Sequence, residues 1–317
     1  MPVIIPSILA ELIILIGAVI IDVIFGEPKE YLHPVVLVGK LSSRTESSFM
    51  KLGNKVLAGF VFLLVIILVF TVPLYIVLKI VSSVQFLYFI VAMIAFKTTF
   101  SITSMGDHVK PIVRALETND IETARAKLSL IVRRETKDMD APHICSATIE
   151  TISEGFVDGF LTPMMFFALF GIIGAFFARI VNTMDSMIGY RNRQYFEFGR
   201  WTAIVDTLIN YIPARVSAAI ISFSSELLNY RVQSVPLREV RVLTESTNAG
   251  WPMGSIATSL NLKLEKYGHY VLNENGFEPS VGDIKRTMNI YYTSVYLSFL
   301  IFILPIMIIV FLIEFVW

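Results

Sequence analysis

Polar side chains able to do chemistry are sparse in this sequence, and five groups of them stand where apolar runs end or are interrupted. The first is Asp22, Glu27 and His33, with Gly26, Pro28 and Pro34 between and beside them. A solvated helix end with a Gly/Pro turn accounts for it; a rigid loop holding two carboxylates and an imidazole over a substrate accounts for it equally. The second is Glu150, Glu154 and Asp158, spaced i, i+4, i+8, so that a helix would project all three from one face. Like charges stacked this way repel, whereas a divalent cation would turn repulsion into coordination. Hard oxygen ligands favour magnesium, which takes one or two carboxylates plus substrate phosphates. A solvated acidic face is the alternative. The third joins Asn182, Asp185, Tyr190, Arg191 and Asn192. The planar fork of Arg191 or Arg193 suits phosphate, and Tyr190 suits a flat ligand; an interfacial aromatic and basic belt has the same composition. The fourth is Asp206, Asn210 and Arg215 inside an otherwise apolar stretch, where a charge costs at least about 2.5 kcal/mol and should face protein or a water-filled cavity. Asp206 and Asn210 share a helix face, while Arg215 points away, so that a kink at Pro213 or a partner elsewhere is needed. The fifth is Asn248-Ala249-Gly250-Trp251-Pro252, either a tight turn or a place where backbone amides approach a ligand beside an indole.

The elements that must position these groups are set by hydropathy. Of 317 residues, 55% are hydrophobic and 16% charged, against roughly 45–50% and 25% in an average soluble protein. Charge-free runs of 23 residues between Lys55 and Lys79 and of 27 between Arg286 and Glu314 are long enough to cross a bilayer. Residues 80 to 96 and residues 4 to 25, the latter carrying Glu11, read as further crossings. The amino end has no basic flank, so it reads as a retained anchor rather than a cleaved signal. Residues 159 to 178 contain Gly171 and Gly174, and residues 203 to 222 are too polar to face lipid on all sides. Lys and Arg crowd the stretches 26–55 and 105–137, which places both on the cytoplasmic side with the amino terminus outside. Keeping Arg191, Arg193 and Arg200 on that side as well requires re-entrant or cavity-lining helices within 159–222. The expected fold is therefore an all-α integral membrane protein, a polytopic helical bundle with cytoplasmic helical and mixed loops. Its segments are 1–100 with membrane helices and the loop 26–55, a helical part 101–158, the cavity-lining part 159–222, a loop part 223–286 and a last membrane helix 287–317. Alternation of Val235, Leu237, Val240 and Val242 allows a short strand or two in the fourth segment.

Composition also removes function classes. Lys plus Arg equals Asp plus Glu at 26 each, so no bulk field exists to hold nucleic acid. Cys145 is the only cysteine, which excludes an intramolecular disulfide and makes a cysteine metal site a poor reading. Neither GxxxxGK[ST] nor GxGxxG occurs, so any nucleotide is held by an uncommon site. His108, His143 and His269 are scattered and receive no role.

Taken in order, the clusters resemble the adenosylcobinamide-phosphate synthase family, the integral membrane enzymes of cobalamin assembly. Asp22, Gly26-Glu27-Pro28 and His33-Pro34-Val35 are similar to an amino-terminal element in which Asp usually stands at position 27. Ser129-Leu130-Ile131-Val132, Arg134-Glu135-Thr136 and Asp140 resemble a second element, and Glu150, Glu154, Asp158, Gly159 and Pro163 a third. In the third, Gly155, Phe156 and Val157 replace Asn-Thr-Ser. The longest agreement runs from Asn182 through Asn192 to Tyr195, Phe198 and Gly199. Asp206, Asn210, Ile212-Pro213-Ala214-Arg215 and Asn248-Ala249-Gly250-Trp251-Pro252 complete the series, with Thr207 and Met253 where Asp and Glu are usual.

The resemblance implies an ATP-dependent ligation of adenosylcobyric acid with aminopropanol phosphate, with Mg2+ as cofactor and ATP as co-substrate. It implies catalytic roles for Asp22, His33, Glu154, Asp158 and Asp185, with Glu154, Asp158 and Asp185 on the metal and Asp22 or His33 taking the amine proton. Substrate would be held by Glu27, Asn182, Tyr190, Arg191, Asn192, Asp206, Asn210, Arg215, Asn248 and Trp251, the arginines on phosphates and the two aromatics against the corrin. The implied partners are these substrates and the lipid bilayer, with no nucleic acid, and either a homo-oligomer or contact with other cobalamin assembly enzymes. A transporter of a small anion or corrinoid, or a non-catalytic subunit of a corrinoid assembly complex, remains the rival reading, because intramembrane Asp206 and Arg215 also suit a translocation path.

Overall fold

The computed structural model describes residues 7–28, 33–189, 195–230 and 235–316. Its helices in the amino-terminal half are α1 (Ser7–Phe25), α2 (Pro34–Phe49), α3 (Lys55–Val81), α4 (Gln85–Lys97), α5 (Thr103–Glu117), α6 (Ile121–Leu128) and α7 (Ala141–Phe156). A π-helical turn, Val157–Leu161, leads to α8 (Thr162–Ile188), and α9 (Arg200–Ile209), α10 (Tyr211–Leu227), α11 (Leu237–Val240) and α12 (Gly250–Leu260) follow. The two short strands β1 (Leu264–Lys266) and β2 (Tyr270–Leu272) precede α13 (Val281–Ser298) and α14 (Leu304–Val316). The chain is a polytopic all-α protein. Among the described residues four helices are long and apolar enough to cross a membrane: Ile8–Phe25, Lys55–Val81, Ala141–Ile188 and Val281–Ile313, with a fifth if Arg200–Leu227 crosses as one broken span.

One expected span comes out differently. The run 80–96 yields only α4, whose 13 residues reach about 20 Å against a hydrocarbon layer of about 30 Å. Ser82 caps α3 and a turn precedes Gln85, so part of the apolar run goes into a loop. The segment 159–222 is interrupted twice. Gly171 takes φ +64° and ψ −159° inside α8, and a turn at Asn210 separates α9 from α10. The break thus falls at Asn210 rather than Pro213, because a proline in the first turn of α10 has no intrahelical hydrogen bond to lose.

The chain folds as two compact units. One comprises Met1–Ser101, Thr162–Ile209 and Ile303–Trp317, the other Ile102–Leu161 and Asn210–Phe302. The stretch 159–222 divides at 209/210, and the stretch beginning at 223 runs on to 302.

In the first unit α3 packs on α2, α4, α8 and α9, and α1 packs on α4 and α14. Phe62 is fully buried between Phe49 and Phe198, and Phe96 stacks on Phe167 at 3.9 Å. Gly59 lets the backbone after the Asn182–Asn192 motif lie directly on α3, since a Cβ there would sit 1.8 Å from the Phe198 carbonyl oxygen. Gly59→Ala is therefore expected to lower stability by about 1–3 kcal/mol or more, whereas Gly53→Ala, with open space around it, should leave thermal unfolding in detergent unchanged.

In the second unit α7 is central, packed against α5, α6, α12, α13 and β1. The strands pair antiparallel with Leu264 opposite Leu272 and Lys266 opposite Tyr270, and Gly268 at φ +72° closes the turn. They lie some 25 residues beyond the expected place. Residues 237–243 instead form one α-helical and one 3-10 turn, because Leu237 and Val240 suit a helical turn as well as a strand, and Val242 is exposed.

Candidate functional site

The first unit builds the Asp22 cluster from three helix ends. Asp22 lies in the last turn of α1, where its carbonyl accepts the Gly26 N–H at 2.9 Å; Gly26 closes the helix at φ +64°, a conformation a side chain would strain. His33 caps α2 by accepting the Val35 N–H at Nδ1, and Pro34 fills the first helical position. With Nδ1 an acceptor, Nε2 carries the proton and donates to Glu27 Oε2 at 3.1 Å. From the last turn of α4, Lys97 Nζ reaches Asp22 Oδ1 at 2.9 Å and Glu27 Oε2 at 3.1 Å. Asp22 is 0% and Lys97 3% exposed, so both sequence-assigned proton acceptors, Asp22 and His33, hold the scaffold in this conformation. Glu27 is the accessible carboxylate of the group, its side chain 28% exposed.

Burial alone would raise the Glu27 carboxyl, but the hydrogen bond from His33 and the Lys97 ammonium outweigh it and hold the value at about 2 against an ordinary 4.5. Such a group is a permanent anion at neutral pH, suited to binding a cation rather than to taking a proton. Because the folded-state value lies below the unfolded one, its stabilisation is complete above about 4.5 and is lost as pH falls toward 2. Wild-type protein should lose on the order of 3 kcal/mol across that interval, and Glu27→Gln should flatten this part of the unfolding profile.

Asn182 and Asp185 share a face of α8 and are half-buried, as is Asp206 on α9. Gly199 brings the two ends of the motif together, since a Cβ on it would lie 1.8 Å from the Ile188 carbonyl oxygen. Tyr190, Arg191 and Asn192 lie outside the described residues.

The second unit separates the three carboxylates that the sequence stacks. Glu150 is buried and fully engaged: Arg134 pairs with it at 2.9 Å, the Tyr270 hydroxyl donates at 2.8 Å and Ser146 at 2.8 Å. Burial and the carboxylates of Glu150 and Glu154 raise the Tyr270 phenol, so it remains a donor. Ser146 Oγ in turn accepts the Glu265 N–H at 2.8 Å, tying β1 to α7. Glu154 is exposed and Asp158, in the π-helical turn, is half-buried; such turns recur at functional sites. Among the described residues no three or more His, Cys, Asp or Glu side chains are placed to hold a metal unaided. Magnesium needs one or two carboxylates when phosphates supply other ligands, so the donor set of Glu154 and Asp158 fits a metal that arrives with a nucleotide. Asp185 belongs to the other unit.

Arg215 finds its partner outside its own helix. It donates to Asn248 Oδ1 at 3.3 Å and to the Tyr211 carbonyl at 2.6 Å, and its guanidinium carbon lies 5.1 Å from the Trp251 ring centre. Asn210 is buried at the start of α10. The Asn248 and Ala249 amides both donate to Ser246 Oγ, so these two amides are engaged within the turn.

The family model described as CobD/Cbib protein matches residues 15–296. The chain belongs to the CobD/Cbib family. It is similar to two proteins described as probable cobalamin biosynthesis protein CobD, 49% identical over 298 residues in Thermoplasma volcanium and over 297 in Thermoplasma acidophilum. Each alignment covers 94% of this chain and 98% of the relative. A cobalamin biosynthesis protein CobD of Dehalococcoides mccartyi is 36% identical over 273 residues, covering 83% of this chain and 87% of its own. No solved structure matches the chain. Within this CobD/Cbib chain, Lys97, Arg134 and Tyr270 are the participants that sequence reasoning did not place in the site. A lysine ending an apolar helix is itself a signal, because such a charge needs a partner.

Proposed function

We propose that the protein is a membrane enzyme of cobalamin biosynthesis that joins a propionate carboxylate of adenosylcobyric acid to the amine of aminopropanol phosphate, with ATP converted to ADP and phosphate. The observation that carries this reading is the family match along nearly the whole chain to relatives named for cobalamin biosynthesis. A carboxylate is a poor electrophile, so phosphoryl transfer to it creates a leaving group before the amine attacks. Magnesium supplies charge neutralisation on the transferring phosphates. Glu154 and Asp158 would hold that metal, Arg215 would engage phosphate, and Trp251 would pack on the corrin. Glu27, anionic at all physiological pH, attracts the substrate ammonium, and Asp22 and Lys97 keep it in place. The departing amine proton passes to Nδ1 of His33 once that atom releases the Val35 N–H, while Nε2 keeps its hydrogen bond to Glu27. Asn182, Asn192, Asp206, Asn210 and Asn248 supply the remaining polar contacts. The lysine and arginine bias of the loops puts the active side toward the cytoplasm of a cell membrane, and a homo-oligomer or contact with other assembly enzymes would suit so bulky an intermediate.

Detergent-solubilised protein mixed with adenosylcobyric acid, aminopropanol phosphate and Mg-ATP should form the amide product with one ADP per bond. Corrinoid flux in proteoliposomes without ATP hydrolysis would instead establish a transporter. Turnover only with an added protein would make this chain a non-catalytic subunit.

A further inference from the structure

We infer that Arg241 and Arg215, gathered on the indole of Trp251, form a phosphate-binding clamp of which Arg241 is the member no sequence motif marks. The Arg241 guanidinium carbon lies 4.3 Å from the Trp251 ring centre, and that of Arg215 lies 5.1 Å from it and 3.3 Å from the Tyr211 ring centre. Two cations drawn to one ring repel each other, and half-burial of both makes that repulsion stronger than it would be in water. Among the described residues neither is within ion-pair distance of a carboxylate. Arg215 spends its hydrogen bonds on the Tyr211 carbonyl and the Asn248 amide oxygen, and Arg241 makes none with the described residues. Each guanidinium offers five N–H donors, so most of the ten point at no acceptor among the described residues. Beside them the indole Nε1 of Trp251 is buried without an acceptor among the described residues, and an unmet buried donor of this kind is destabilising unless something fills it.

The arrangement is built rather than incidental. Gly250 has no Cβ because one would lie 2.0 Å from the Arg241 carbonyl oxygen, and a Cβ on Gly254 would come 2.9 Å from Leu237. These two glycines press the 3-10 turn that starts at Arg241 onto the first turns of α12, next to Trp251. An arginine stacked on an aromatic ring keeps its planar edge free for two parallel hydrogen bonds, the geometry that phosphate oxygens accept. A dianion placed there removes the repulsion between the guanidiniums. The ligand class is thus a phosphoryl group, either the polyphosphate tail of a nucleotide or a phosphate monoester. The assignment of that group to a reactant rests on the proposed ligation.

The test is calorimetric titration of the detergent-purified full chain with tripolyphosphate and, separately, with inorganic phosphate, both without metal. Wild-type protein should bind at least one of them. Arg241→Gln should weaken that binding by at least 10-fold with thermal unfolding kept within a few degrees, and Arg241→Lys, which keeps the charge but loses the fork, by about 3-fold or more. Tighter binding of tripolyphosphate identifies a nucleotide tail; equal or better binding of inorganic phosphate identifies a monoester. In a Trp201→Phe, Trp317→Phe background the remaining Trp251 fluorescence should change on addition of the bound probe and fail to do so in Arg241→Gln. Unchanged affinity in Arg241→Gln and Arg241→Lys, or no binding of either probe by the wild type, overturns the clamp and leaves Arg241 as a packing residue. Binding through Arg241 with no amide product would sink the ligation while the clamp stands. Amide formation with an unaltered KM for both phosphate-bearing substrates in Arg241→Gln would sink the clamp alone.

Discussion

Lys97→Met should be the most damaging single substitution in the first unit, costing about 3–5 kcal/mol by leaving the buried Asp22 carboxylate without its cation. Asp22 is wholly enclosed and its Oδ1 sits 2.9 Å from the ammonium, so no water can replace the lost charge without opening the α1 end. Thermal unfolding in detergent should fall by on the order of 10 °C. The double variant Lys97→Met with Asp22→Asn should be less damaged than the sum of the single effects, because the stranded charge is gone. Equal unfolding of Lys97→Met and wild type would mean that the ionic cluster does not hold the loop at Glu27. A loop held this way also matters for chemistry. Without Lys97 the Glu27 carboxyl loses one of the two groups that keep it near 2, and its fit to an ammonium should weaken as a raised KM for the amine substrate.

Glu154→Gln and Asp158→Asn should each reduce amide formation by about 100-fold or more at limiting magnesium, since a metal clamp on phosphoryl transfer contributes several kcal/mol to the transition state. Excess magnesium should recover part of the rate. Glu154 is exposed, so Glu154→Gln should leave thermal unfolding unchanged. Glu150→Gln should do the reverse, lowering stability through the loss of the Arg134 ion pair and weakening of the Tyr270 and Ser146 hydrogen bonds. This contrast separates a metal role from a structural one. Full rate in both Glu154→Gln and Asp158→Asn at limiting magnesium would remove the metal assignment.

Hydropathy and helix periodicity in the sequence determine a good deal. The charge-free runs at 56–78 and 287–313 could only be long helices, because backbone polar groups in lipid must be satisfied within the segment, and α3 and the Val281–Ile313 helix are those runs. The grouping of Asp22, Glu27 and His33 was equally legible, since all three lie within one turn and its flanks. Local spacing also showed that Arg215 needs either a kink at Pro213 or a partner from elsewhere. Which partner it takes was not legible, because Asn248 stands 33 residues away and only the packing of α10 on α12 brings it within 3.3 Å.

Tertiary structure alone decided how equivalent-looking charges divide their work. Glu150, Glu154 and Asp158 read as one acidic stripe, but Arg134 and Tyr270, from elements 16 and 120 residues away, neutralise the first and leave the others accessible. A helix pattern fixes the direction of a side chain, not what will be packed against it. Lys97 and Arg241 show the same rule from the cationic side. In sequence neither basic residue announces its partners, yet one is sealed between two carboxylates and the other is set on an indole with none among the described residues. Desolvation and pairing set the chemistry of a charge, and both depend on neighbours that distant parts of the chain supply.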